Sequence, residues 1–274
     1  MTVPMQMSER RAGVVLRFAA LHAEGIFVLA NAWNAGSARM LERLGARAIG
    51  TTSAGLAWGL AREDGAGQVL RVEALENARQ IMAATTLPVS ADLENGYGPD
   101  PRDCADTIRA AMAMGLAGGS IEDGTGLGDG SVYPFQHALE RIHACVEVIR
   151  AARSPFILTA RAEGLLADGR NLEAVTARLA AFARAGADVV RRIEDIAMVA
   201  GAVGRPLSVL VEAGRPGVEL DALERAEVRR VSLGRGLFDV GIEAAEQAAR
   251  QALAAGVFGY GGDCIGVADT MRRA

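Results

Sequence analysis

Lysine is absent from this chain of 274 residues, so all 29 basic side chains are arginine. That removes Schiff-base catalysis and P-loop phosphate binding, both of which need a lysine amine. Cysteine is scarce: Cys104, Cys145 and Cys264 are widely spaced, form no CxxC pair and are odd in number. A disulfide framework is therefore not expected, and the three read as buried, inert thiols of a reducing compartment. An excess of positive charge is missing too. The formal net charge is −4, and no basic footprint for nucleic acid or anionic lipid stands out. No apolar run reaches the ~18 residues of a membrane span, and Met1–Arg11 lacks the apolar core of a signal peptide. A cytoplasmic protein without membrane contact is expected. Histidine numbers three, and His22, His137 and His143 lie away from the strand tips and are expected to be non-catalytic.

Half of the residues are hydrophobic, enough for a sizeable core. Strand-like runs are expected at Phe27–Asn31, Ala46–Thr51, Val89–Asp92, Gly118–Glu122, Phe156–Arg161, Val189–Arg191, Leu207–Glu212 and Arg230–Leu233. Helical patterns alternate with them at Ser37–Leu44, Val72–Ala84, Pro101–Met114, Pro134–Ala152, Leu172–Ala185, Glu194–Gly201 and Gly217–Ala226, with a longer one at Gly236–Ala255. Gly45, Gly115 and Gly186 stand where helices should stop. Repeated βα units imply parallel strands covered by helices, and eight of them predict a single (β/α)8 TIM-type barrel. One domain is expected over residues 1–274, its barrel core at about 25–240 and a C-terminal helical tail at about 241–274. An open doubly wound sheet is the alternative, because the sixth strand is weak and interrupted by Arg191-Arg192.

In a barrel, chemistry sits at the C-terminal strand ends. The third strand ends in Asp92-Leu93-Glu94 and the fourth in Glu122-Asp123, while Asp64 lies in the loop region after the second. Asp92 and Glu94, two apart on an extended segment, are predicted to point the same way. Clustered carboxylates repel unless a cation neutralises them, and an all-oxygen set suits Mg²⁺, with Mn²⁺ as a substitute. Asp92 is expected to bind the ion directly, with Asp64, Glu94 and Glu122 holding its waters. The plain alternative is that these acids cap helices or pair with arginines.

The fifth strand ends in Arg161-Ala162-Glu163. Arg161 can grip a substrate carboxylate through paired hydrogen bonds, or form an internal salt bridge with Glu163 or a neighbouring acid. Thr52, Ser53 and Ala54 form a small-residue turn suited to an anionic group, or an ordinary turn. Trp33 and Asn34, after the first strand, could wall the pocket and donate a hydrogen bond, or Trp33 could be a partly buried packing residue. Ser232–Gly236 is expected to be a turn rather than a phosphate site.

Six ordered blocks then carry a resemblance: Ala30–Arg39, Thr52–Trp58, Glu63-Asp64-Gly65, Ala91-Asp92-Leu93-Glu94-Asn95-Gly96-Tyr97-Gly98, Gly118–Asp123 and Leu158–Glu163. Together they resemble the isocitrate lyase/phosphoenolpyruvate mutase superfamily from roughly residue 25 to 235. The resemblance implies a Mg²⁺-dependent α/β barrel acting through an enolate of a small 2-oxo or 2-hydroxy acid. It implies metal-binding acids at Asp64, Asp92, Glu94 and Glu122, a substrate-carboxylate arginine at Arg161, and a carboxylate cradle at Thr52-Ser53-Ala54. It also implies a homo-oligomer, dimer or tetramer, in which a C-terminal helix is exchanged between subunits. One departure stands out. The family's isocitrate-cleaving members carry a Lys-Lys/Arg-Cys-Gly-His loop after the matched Glu-Asp, where this chain reads Gly124-Thr125-Gly126-Leu127-Gly128-Asp129-Gly130-Ser131. The segment Val190–Asp195 also differs from the family's hydrophobic stretch. Expectation therefore falls on a lyase of oxaloacetate-decarboxylating or C–C-cleaving type. Arg161, Glu122 and Glu163 would serve at the reacting centre, with Glu163 or a metal-bound water standing in as base where a hydroxyl proton must leave. C–P mutase or hydrolase chemistry, or a 2-oxo-acid-binding protein without catalysis, are the alternatives.

Overall fold

A computed structural model describes residues 3–163, 172–192, 204–211 and 218–259. Its strands are β1 Phe27–Ala32, β2 Ile49–Thr51, β3 Val89–Asp92, β4 Gly118–Glu122, β5 Ile157–Arg161, β6 Val189–Arg192, β7 Leu207–Leu210 and β8 Val228–Ser232. The described helices are α1 Val3–Leu21, α2 Ala35–Arg43, α3 Ser53–Gly59, α4 Arg71–Ala83, α5 Pro101–Met114, α6 Phe135–Ala151, α7 Leu172–Ala185, α8 Leu220–Arg225 and α9 Gly236–Ala255. The strands are parallel and close into a barrel in chain order. Closure comes from β8, whose Arg230–Ser232 pair with Phe27–Leu29 of β1, and this overturns the open-sheet alternative. The weak sixth strand takes its place because β5 and β7 pair with it on either side.

Two helices were not expected from the sequence. The α1 helix closes the N-terminal end of the barrel: Val15 and Phe18 pack on Phe27, Leu29, Ala48, Ala117, Ile157 and Val189 from the strand entrances. The turn expected at Thr52–Ala54 instead opens α3, with Thr52 as its N-cap. Strand two begins at Ile49, not Ala46, and strand eight at Val228, not Arg230. The helix expected at Glu194–Gly201, the end of the Leu207–Glu212 strand, Cys264 and the chain beyond residue 259 lie outside the described residues. Gly118 answers to close approach: a Cβ there would stand 2.7 Å from the Ile157 carbonyl oxygen and 2.8 Å from the Phe18 ring.

The barrel interior is unusually polar. Side chains alternate along each strand, and the inward set includes Asn31, Thr51, Ser90, Ser120, Thr159, Ser208, Ser232 and the buried Arg230. Arg230 donates to Ser208 Oγ and Thr159 Oγ1, both at 2.9 Å. Below it, on the α1 side, His22 is buried edge-on to Phe18 and Phe27, its Nδ1 2.9 Å from the Phe18 carbonyl. Burial, and then the Arg230 charge, push its pKa from the usual 6.5 down to about 3. Below pH 6.5 the unfolded chain takes up a proton that the native state refuses. Stability from this group is therefore lost as pH falls from 6.5 towards 3, by up to roughly 1.4 kcal/mol per pH unit. His22→Phe should lose less stability than the parent between pH 7 and pH 4, measured by urea denaturation at both. Equal losses in the two proteins would show that His22 does not contribute.

Candidate active site

Asp92, Glu122 and Arg161 are the terminal residues of β3, β4 and β5. Strand register places them together: Glu122 lies beside Arg161, and Asp92 beside Ser120 one strand over. The Arg161 guanidinium reaches three carboxylates, with Nη1 2.8 Å from Asp92 Oδ1, Nη2 3.0 Å from Glu122 Oε2 and Nε 2.8 Å from Glu163 Oε1. The internal salt bridge anticipated as one role for Arg161 is thus present. Ser53 Oγ stands 3.3 Å from Asp92 Oδ2, and Ser120 Oγ 3.3 Å from Asp92 Oδ1.

Glu94 reaches the same cavity by a different route from the extended alternation expected. It follows the end of β3 with φ at 45°, a left-handed turn that folds it inward until it is 7% exposed. Its carbonyl accepts the Glu122 N–H at 2.9 Å, tying the third and fourth strand tips together. Asp64 enters from the loop between α3 and α4. A cavity of about 210 Å³ is lined by Ser53, Asp64, Glu94, Glu122, Arg161 and Glu163, and roofed by the glycine-rich 124–131 loop. Asp92 is not among these lining residues; it contacts two of them, Ser53 and Arg161, and with Arg230 lines a second void of about 20 Å³.

The electrostatics follow from this crowding. Burial first, then the charges of Asp92 and Asp64, push Glu94 up to about 8. Burial raises Asp64 as well, with Asp92 adding to it. Burial also raises Glu122 against the pull of Arg161. One arginine does not neutralise this many acids, and the surplus negative charge favours a cation. The donors are carboxylate and hydroxyl oxygens, the chemistry of a hard divalent ion. Among the described residues no three His, Cys, Asp or Glu side chains stand close enough to form a metal cluster by themselves. Asp64, Glu94 and Glu122 line one cavity, an oxygen-donor set that a hard cation keeping most of its waters would need.

Other expected residues do different work. Asn34 is the N-cap of α2: its Oδ1 accepts the Ser37 N–H at 2.9 Å while the Ser37 hydroxyl accepts the Asn34 N–H. Asn34 is thus committed to capping and is not among the cavity-lining residues. Trp33 packs against Phe238 of α9, centroids 5.8 Å apart, and is likewise not a lining residue. Thr52 caps α3 and Ala54 is buried, so of that trio Ser53 lines the cavity. Three contributors went unrecognised in the sequence. Asn31 Oδ1 accepts from Ser232 Oγ, Leu233 N and Gly234 N, which makes the Ser232–Gly236 segment a tied turn. Asp123, buried, accepts the Glu163 N–H at 2.7 Å and pairs with Arg178 of α7 at 3.1 Å, holding Glu163 in place. Arg141 is a buried cation on α6. Asp123 was visible as the second acid of Glu-Asp, whereas Asn31 and Arg141 carry no local signal.

The sequence profile of phosphoenolpyruvate phosphomutase matches residues 18–253. The chain belongs to this family. Its fold agrees: a provisionally assigned lyase/mutase of Burkholderia cenocepacia J2315 superposes with a TM-score of 0.90 at 40% identity, covering 96% of this chain and 95% of that one. The 2-methylisocitrate lyase of Salmonella typhimurium (strain LT2) is 29% identical over 211 residues, 70% of each chain. Oxaloacetate decarboxylase 1 of Pseudomonas putida (strain W619) is 29% identical over 183 residues, 63% of this chain and 61% of that one. Family membership places this chain among lyases and mutases that share one barrel, and leaves the individual reaction to the contents of the cavity.

Proposed function

We propose that the protein is a Mg²⁺-dependent lyase acting on a small 2-oxo or 2-hydroxy dicarboxylate, with oxaloacetate-type decarboxylation the best-supported reaction. The observation that carries this is the convergence of Asp64, Glu94, Glu122 and Arg161 on one cavity at the C-terminal mouth of the barrel, with Asp92 beside it and paired to Arg161. About 210 Å³ suits a small organic acid rather than a drug-sized ligand, whose pockets begin at ~300 Å³. A bound Mg²⁺ would act as a Lewis acid, stabilising negative charge that develops next to the substrate carbonyl. Asp92 would hold the ion, with Asp64, Glu94 and Glu122 orienting its waters. Ser53 and the Arg161 fork would orient the substrate's charged oxygens, and the 124–131 roof would exclude bulk water. Among the described residues, no lysine, histidine or cysteine lines this cavity. That favours decarboxylation, since loss of CO₂ needs no proton removed from a hydroxyl. For a C–C cleavage that does need one, Glu163 is the side chain placed to take it.

A metal-supplemented panel of 2-oxo and 2-hydroxy diacids, with product identification, tests the proposal. Turnover should appear with oxaloacetate-like substrates, vanish in excess EDTA and return with Mg²⁺ or Mn²⁺. Full activity in EDTA would remove the metal from the reaction. The family profile itself favours phosphonate chemistry as a second reading, and turnover of a phosphonate with none of the oxo acids would select it.

A homo-oligomer, dimer or tetramer, is also proposed. Val240 and Leu253 of α9 are 55% and 89% exposed, apolar side chains that contact with a second subunit would cover. Light scattering on the full chain would give the subunit count.

A further inference from the structure

We infer that Arg141 is a positioning residue that locks together the two loops closing the active cavity. The inference rests on Glu94 and Glu122 belonging to one cation and substrate site. Arg141 lies on α6, is 1% exposed, and pairs with no carboxylate among the described residues. Its partners are instead backbone carbonyls of the loop after β3. Nη1 donates to Gly98 O at 2.9 Å and Pro99 O at 2.6 Å, and Nη2 donates to Asn95 O. A planar fork with fixed donors can meet carbonyls pointing from different residues at once, which an ammonium cannot.

Those carbonyls belong to a backbone that would not hold this shape unaided. Glu94 and Tyr97 are non-glycine residues with φ at 45° and 63°, and Gly96 between them has φ at 81°. Left-handed residues persist where their surroundings over-determine them. Here the surroundings are Arg141, the Thr107 hydroxyl on Gly96 O at 2.8 Å, and the Cys104 thiol on Asn95 O at 3.4 Å.

The same guanidinium holds the loop after β4. Its carbon lies 4.3 Å from the centroid of the Tyr133 ring. Tyr133 in turn donates its N–H to Asp123 O at 2.8 Å and accepts from Arg178 Nη1 at 2.9 Å, so the ring is a fixed plate at the end of the 124–131 roof. The two loops meet directly where Asn95 Nδ2 donates to Thr125 O at 2.9 Å. Asn95 thus receives Arg141 on its carbonyl and grips the roof with its side chain, directly after Glu94. Arg141 touches neither a cavity-lining carboxylate nor the cavity itself. Its effect passes through Asn95 and Tyr133.

Hydrogen exchange and Mn²⁺ titration of the full chain test this, with Arg141→Met and Arg141→Lys as the variants. Amides at 93–99 and at 124–133 should exchange at least ~10-fold faster in both variants while those of β5, β7 and β8 stay protected. Mn²⁺ affinity should fall about 10–100-fold, the scale for residues that support metal-binding groups from behind. Loosening at 93–99 with 124–133 unchanged overturns the coupling. Loosening of both loops with unchanged Mn²⁺ affinity overturns the link to the site. Should neither arginine variant fold, Tyr133→Leu decides: it leaves the carbonyl bonds intact, and unchanged exchange at 93–99 overturns the inference. A parent protein that binds no Mn²⁺ refutes the metal assignment instead, and the exchange data still decide whether Arg141 couples the loops.

Discussion

Asp92→Asn is expected to lower kcat for an oxaloacetate-like substrate by about three powers of ten with the fold intact. A Lewis-acid ion contributes several kcal/mol to a transition state in which charge builds on an enolate, and 1.36 kcal/mol is one decade of rate. Asp92 is the proposed ligand for that ion, at the tip of β3 with hydroxyls of Ser53 and Ser120 at 3.3 Å. Asparagine keeps the shape but removes the charge, and one side-chain oxygen becomes an amide donor facing the Arg161 guanidinium. Weaker Mn²⁺ binding should accompany the loss. Steady-state kinetics with saturating Mg²⁺ and a thermal melt check both halves, and a kcat within ~10-fold of the parent would remove Asp92 from the metal site.

Arg161→Met should destabilise the protein by about 3–5 kcal/mol near pH 8, the range for removing one partner of a buried charge pair. Asp92, Glu122 and Glu163 all face this guanidinium, whose side chain is 11% exposed. Without it these carboxylates repel one another in a space already crowded by Glu94 and Asp64. They can escape by taking up protons, which raises their folded pKa values above the unfolded ones. The variant's native state then binds more protons than its unfolded chain, so its stability falls as pH rises. The deficit against the parent should therefore be smaller at pH 5 than at pH 8. Excess Mg²⁺ should recover part of it at pH 8, because the ion supplies the missing positive charge. Urea denaturation at both pH values, with and without Mg²⁺, checks this. A deficit independent of pH would mean that Arg161 acts through packing alone.

The fold and the placement of the strand-tip charges were legible because their signals are local. A strand that ends in an acid or an arginine is visible as a short apolar run and its last residue. The closed barrel then turns chain order into neighbourhood, which is why Asp92, Glu122 and Arg161 converge as expected. Asn34 and Thr52, read as pocket residues, have a second role for an equally physical reason. Polar residues after a strand are also the residues that cap the next helix, and capping is what they do here. Glu94 was expected at the site by an extended alternation that its left-handed backbone does not follow. The α1 plug was missed because a helix that seals the barrel entrance is amphipathic only with respect to a surface made by five strands.

By itself the amino-acid order determined the βα rhythm, the lack of lysine and cysteine at the strand tips, and the identity of the acids, since each depends on residues adjacent in the chain. The tertiary structure alone decided that Arg161 is shared among three carboxylates, that Asn31 binds the turn after β8, and that Arg141 joins two loops from behind. Those partners lie tens to hundreds of positions apart, and hydrogen bonds and ion pairs act over a few ångströms of space whatever the separation along the chain.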